Sequence, residues 1–179
     1  TTASYNIGVG YEALKFTTTG AKNVGIGKGA LEKNTTGANG TAVGFQALNA
    51  NTTGASNTAV GFDALKANTT GTRNVALGVS ALDTNTTGAD NIAIGHDCLT
   101  NSATAGYNTA IGKDCLKSNT TGYGNVAIGK NAGNHSNANT TGYNNVFIGT
   151  NCHGSRYDRN HQIVLGYYVQ SVGQNYITM

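Results

Sequence analysis

Asn57-Thr58-Ala59-Val60-Gly61-Phe62-Asp63-Ala64-Leu65-Lys66-Ala67-Asn68-Thr69-Thr70-Gly71-Thr72-Arg73 is one seventeen-residue unit, and Asn74 opens the next. Gly61 belongs to a series: Gly10, Gly27, Gly44, Gly61, Gly78, Gly95, Gly112 and Gly129 are each seventeen residues apart. Gly149 follows after a three-residue insertion, and then Gly166. A second series, Gly20, Gly37, Gly54, Gly71, Gly88 and Gly122, runs in phase with it, with Ala105 at the missing step and Gly106 beside it. Two phased series of this length mark an internal repeat, which fixes the architecture before any other feature is read.

Each unit has three blocks. In the first, Asn23-Val24-Gly25-Ile26-Gly27 or Asn91-Ile92-Ala93-Ile94-Gly95 alternates β-branched and small residues, as a short strand does. Val24 and Ile26 share one face, and the small residue lies on the other. The second block ends in Ala-Leu: Ala30-Leu31, Ala47-Leu48, Ala64-Leu65, Ala81-Leu82. The third, Asn-Thr-Thr-Gly, is turn chemistry, with Asn tolerant of unusual angles and Gly expected to supply a positive φ. Seventeen residues cannot hold two helices, and no six-residue sub-period is present. The reading is an all-β parallel solenoid, a β-roll of about ten coils, with two short strands and two turns per coil. At ~4.8 Å per coil it predicts a rod of roughly 45–50 Å. Residues 1–149 form the repeat, and 150–179 are expected to be an irregular cap or a transition to a following module.

Composition agrees. There are 26 Gly, no Pro and no Trp, and charged residues are 11% of the chain, against ~25% in ordinary domains. Disordered chains carry Pro and high net charge; this one has a formal charge of only +3. No basic run could track a phosphate backbone, and no apolar stretch could span a membrane, so neither nucleic acid nor membrane insertion is expected.

The small strand residue is Gly8, Gly25, Ala42, Ala59, Ala76, Ala93, Ala110 and Ala127. On a thin coil, a stripe excluding Lys, Glu and Thr suggests close approach of a second chain, and hence an intertwined or side-by-side homotrimer.

The N-x-A-[VI]-G-x-x-A-L blocks resemble the head repeats of trimeric autotransporter adhesins. The N-T-T-G-x-x-N-T-A-[VI]-G unit is more similar still to tail-fibre repeats of bacteriophages and large algal viruses. The resemblance covers about residues 4–149. It implies a left-handed parallel β-roll, three chains side by side, attachment to a host surface, and a place on a virion fibre or an extracellular surface. Adhesin heads use shorter repeats, which favours the viral fibre. The tail from Asn160 to Met179 resembles the segment that follows such repeats in fibre proteins.

No catalytic, metal or cofactor site is expected. Cys98, Cys115 and Cys152 occupy the position where other coils have Ala13, Ala30, Ala47, Ala64 and Ala81, which predicts small buried free thiols. His96, His135, His153 and His161 make no zinc spacing with them. Asp97 and Asp114 stack as a solvated ladder near Lys113 and Lys117. Asn34, Asn51, Asn68, Asn85, Asn119 and Asn139 match a glycosylation sequon, but their recurrence reads as a turn ladder. Asn6, Asn23, Asn57, Asn74, Asn91, Asn108, Asn125 and Asn145 read as a stacked amide ladder.

The non-repetitive region runs from Asn131 to Tyr168. Its insertion, Asn134 to Ala138, precedes a loop gathering His153, Arg156, Tyr157, Arg159 and His161. Tyr143, with Tyr107 and Tyr123, forms a partial ladder after the turn glycine. Aromatics and Arg stack on sugars and grip anions, so these residues are the place to look for a host receptor or glycan; the competing reading is a cap on the open end. Three functions compete: a receptor-binding segment of a trimeric viral or phage attachment fibre, a bacterial adhesin head, and an ice-binding solenoid suggested by the paired threonines Thr35/Thr36, Thr52/Thr53, Thr69/Thr70 and Thr86/Thr87.

Overall fold

The computed structural model describes residues 2–134, 140–156, 158–173 and 175–179. Among them are eleven short strands and no helix: β1 Ile7–Val9, β2 Val24–Ile26, β3 Thr41–Val43, β4 Thr58–Val60, β5 Val75–Leu77, β6 Ile92–Ile94, β7 Thr109–Ile111, β8 Val126–Ile128, β9 Val146–Ile148, β10 Ile163–Leu165 and β11 Ile177–Thr178. They form one parallel sheet in chain order, so each strand pairs only with its sequence neighbours. The result is a solenoid of about ten coils. Ala42 stands over Ala59 and Ala59 over Ala76. Register survives the insertion, with Val126 paired to Val146. The sheet runs on through β10 and β11, past residue 149.

Each coil holds one strand, not two. The Ala-Leu block is a chain of turns in which alternate residues are left-handed, as at Gln46 (φ 52°) and Leu48 (φ 51°). Leu14, Leu31, Leu65, Leu82, Leu99 and Leu116 share this conformation. It costs about 1–2 kcal/mol for an L-residue. Burial of the leucine side chain is worth about 1.5–3 kcal/mol and offsets it; Leu31 to Leu116 are all at most 2% exposed. The inter-coil ladder also continues through the block: the Leu31 N–H donates to the Ala47 carbonyl at 3.0 Å, and the Gln46 N–H to Lys28 at 2.9 Å.

The strand faces are reversed from the expectation. The middle residues Ala42, Ala59, Ala76, Ala93, Ala110 and Ala127 are fully buried inside their own coil. They join the Leu column and the column of Ala30, Ala47, Ala64, Ala81, Cys98, Cys115 and Cys152 in one core. The small residues are therefore small because the interior is narrow, and a neighbouring chain is not what they face.

The two glycine series have different causes. Gly27, Gly44, Gly61 and their equivalents end each strand at φ 127–141°, where L-residues are strained, and a Cβ would strike the glycine carbonyl of the next coil. The turn glycines Gly37, Gly54 and Gly71 do not have the positive φ expected. A Cβ on them would collide with the asparagine of their own turn and with the next glycine's carbonyl.

Those asparagines form two internal ladders. In the turn column, Asn51 Nδ2 donates to Gly54 O at 2.9 Å and to Asn34 Oδ1 at 2.8 Å, and Asn68 and Asn85 repeat the pattern. In the strand-head column, Asn74 Nδ2 donates to Gly88 O at 2.8 Å while its Oδ1 accepts the Asn91 backbone N–H at 3.0 Å. The turn carbonyls of Gly37, Gly71, Gly88 and Gly122 thus each accept two side-chain amides, and repetition supplies these buried polar groups with partners.

Coil 7 breaks the rule twice, at Ser102 for Asn and Ala105 for Gly. The two departures compensate, because the shorter serine clears the space the Ala105 methyl needs. The Ser102 hydroxyl and Asn85 Oδ1 are left buried without partners. The double variant Ser102→Asn/Ala105→Gly should raise stability by about 1–2 kcal/mol in urea denaturation, whereas Ser102→Asn alone should destabilise by steric conflict with Ala105. Additive single effects would contradict this coupling.

Candidate functional site

The outward strand residues form columns that run the length of the sheet. The first position of each strand is Ile7, Val24, Thr41, Thr58, Val75, Ile92, Thr109, Val126, Val146 or Ile163. The third is Val9, Ile26, Val43, Val60, Leu77, Ile94, Ile111, Ile128, Ile148 or Leu165. No charge occurs in either column. The alternation that buries alanine turns both columns outward, so Ile26, Val60, Ile111 and Ile148 stand 36–42% exposed. Around the corner glycine a second column carries Tyr11, Lys28, Phe45, Phe62 and Val79, all exposed, with the Lys28 ammonium 5.8 Å from both the Tyr11 and the Phe45 ring centroids. Phe45 and Phe62 stack at 5.1 Å with rings 8° from parallel. Further along, this column becomes His96, Lys113 and Lys130. The strand strip therefore meets a shorter apolar patch, Phe45, Phe62 and Val79, at one edge of the rod. The signal for the strand strip was in the sequence, in two charge-free columns flanking the alanine.

The expected loop site separates into parts. Arg156 and Arg159 line a cleft with Thr140, Phe147 and Gln162, but its volume is about 20 Å³, room for one water and far below the ~300 Å³ of small-molecule sites. Arg156 Nε also lies 3.4 Å from Asp158 Oδ1. Phe147 fills the cleft's inner wall because Gly133 stands where other coils have Leu; a Cβ there would strike Leu116 and Phe147. Arg159 is no free loop: its carbonyl takes the place of a turn glycine's, accepting Asn145 Nδ2 at 2.9 Å. His153 sits in a parallel bridge with Gln170, its Nδ1 donating to the Gly154 carbonyl at 2.8 Å. Tyr143 and His161 do meet, edge to face at 5.3 Å. Tyr157, His135 and most of the insertion lie outside the described residues.

Tyr123 and Tyr143 stack at 5.0 Å, 2° from parallel. Tyr107 is not part of that ladder. Ala105 holds the turn-glycine position, so Gly106 falls in the Tyr123 column and Tyr107 falls one column on, with Asp90 and Arg73.

The remaining groups are internally matched. Lys117 Nζ lies 2.9 Å from Asp97 and 3.0 Å from Asp114, and these hydrogen bonds hold its pKa above the ordinary lysine value. His96, Asp97 and Asp114 offer three ligand atoms within 4.8 Å of one another, but the Lys117 ammonium already lies between the carboxylates. The sequon asparagines Asn34, Asn51, Asn68, Asn85 and Asn119 are at most 1% exposed, with their amides engaged in the turn. In the threonine pairs, the first hydroxyl is tied to the next coil's carbonyl, as from Thr35 to Thr52 at 2.9 Å. Only the second row, Thr36, Thr53, Thr70 and Thr87, faces solvent.

Comparisons with protein-family models, curated proteins and solved structures gave no match.

All three cysteines are free and buried, as their alanine-like position predicted. The neighbouring Cys98 thiol and then burial push the Cys115 thiol far up, and burial raises Cys152 as well. Both stay protonated and unreactive at neutral pH. Ellman's reagent should therefore titrate essentially no thiol in native protein and three after denaturation. A fast-reacting native thiol would contradict the packing described.

Proposed function

We propose that this chain is a segment of a homotrimeric attachment fibre, of the viral or phage tail-fibre type its repeats resemble, exposed on a virion or another extracellular surface. The observation that carries the reading is the charge-free apolar strip along the strands, continued around the corner by Phe45, Phe62 and Val79. Solitary soluble proteins rarely leave so continuous an apolar surface to water. The strand strip and the shorter Phe45–Phe62–Val79 patch beside it give a chain an apolar surface toward each of two neighbours, which is what a threefold bundle requires. Parallel copies in register would set Val60 and Phe62 of one chain against apolar positions of the next.

The role is support and adhesion, with a host receptor or glycan as the outer partner. The same geometry serves a bacterial adhesin head, the second reading. An ice-binding role rests on the single exposed threonine row, and thermal hysteresis would reveal it; a flat two-row array is what that function needs, and half of the hydroxyls here are used between coils.

Light scattering should give a mass near three times the 18.3 kDa chain. Val60→Lys combined with Ile128→Lys should reduce it to a single chain while circular dichroism stays β-type, because both side chains point out of the coil. A native protein of single-chain mass would defeat the proposal.

A further inference from the structure

We propose that the open face of Tyr123 is a carbohydrate-binding position that takes a neutral hexopyranose ring stacked over Gly106. One face of Tyr123 is covered by Tyr143, whose far side is in turn closed by the edge of His161. The opposite face looks toward the preceding coil, where the same position is Gly106. No side chain rises there, and the residue before it in the column is only Ala89. Tyr123 accordingly remains 49% exposed although half of its ring is stacked. The glycine makes the step: an aromatic ring stands upright at the end of a side-chain-free stretch of surface, with its π face bare.

Polar groups flank this face at heights the coil register fixes. On one side the exposed Thr87, Thr104 and Thr121 follow one another coil by coil. On the other stand Tyr107, 69% exposed, and the Arg73–Asp90 pair, whose guanidinium donates to both carboxylate oxygens at 2.6 and 2.7 Å. That pairing holds the Asp90 carboxyl below its usual pKa and leaves the patch without net charge. A pyranose suits such a place. Its axial C–H bonds carry partial positive charge toward the negative ring face, and its rim of hydroxyls finds threonine, tyrosine and carboxylate partners. A nucleotide suits it less, since the Arg73 guanidinium beside it is already paired with Asp90.

The ligand class goes beyond the fibre reading and rests on it only in supposing an exposed outer surface; the assembled mass of each sample reports on the fibre separately. The test is saturation-transfer NMR on the full 179-residue chain with methyl β-galactopyranoside and methyl β-glucopyranoside as probes. At least one sugar should receive saturation at its ring protons more strongly than at its O-methyl group. Tyr123→Phe should retain the effect. Tyr123→Ala should weaken binding by roughly tenfold, the loss of one stacked face, and Tyr5→Ala, an exposed tyrosine outside the apolar strip, should leave it unchanged. Should Tyr123→Ala fail to fold, upfield ring-current shifts of the sugar on the unmodified protein serve as the second measurement. No saturation by either sugar, no such shift, or binding that survives Tyr123→Ala would overturn the assignment, whether or not light scattering finds a trimer.

Discussion

Everything in this fold hangs on one carbonyl per coil. In the regular coils the turn glycine's oxygen accepts an amide hydrogen from two asparagines, one that opens the turn and one that heads the strand of the same coil, as Gly37 does from Asn34 and Asn23. Both side chains are fully buried, so each must find every partner inside. They do so only because the coils above and below present the same residues at the same height. Repetition is therefore not merely a record of duplication here. It is the condition under which a narrow coil with a half-polar interior can exclude water. This is also why the turn glycine lacks a Cβ: the space is taken by the amide.

The other half of the interior is apolar and just as tight, filled by one leucine and two alanine-sized residues per coil. Two departures from the repeat come as matched pairs. Ser102 accompanies Ala105, and Gly133 accompanies Phe147; in each case a smaller side chain makes room for a larger one. The first exchange leaves two buried oxygens unpartnered, while the second leaves a cleft of about 20 Å³ walled by Phe147. Packing inside the roll is thus conserved by volume within a local neighbourhood, as in any close-packed core, although its cross-section is only a few side chains.

The glycine spacing made the solenoid legible, because a corner at φ near 135° admits no other residue without strain. What the pattern could not reveal was direction. Alternation tells which residues share a face and is silent on which face is inside. The usual preference for burying the bulkier residue pointed the wrong way, since a coil this thin has room for alanine and not for isoleucine. The left-handed leucines were hidden for a different reason: nothing in Ala-Leu signals such a backbone, which exists only because neighbouring coils hold it. Cysteines in alanine positions were readable as plain volume substitution. The candidate loop was not, since Arg159 serves through its backbone, and Tyr107 slipped out of its supposed column when Ala105 took the glycine's place.

The register kept between Val126 and Val146 has a broader meaning. A turn on this roll absorbed extra length without disturbing the strand on either side, so cross-section and contour are set independently. The molecule is in effect a ruler with interchangeable graduations. Whole units added or removed would change its reach in increments of about 4.8 Å, and short inserts at the turns would decorate the shaft without bending it.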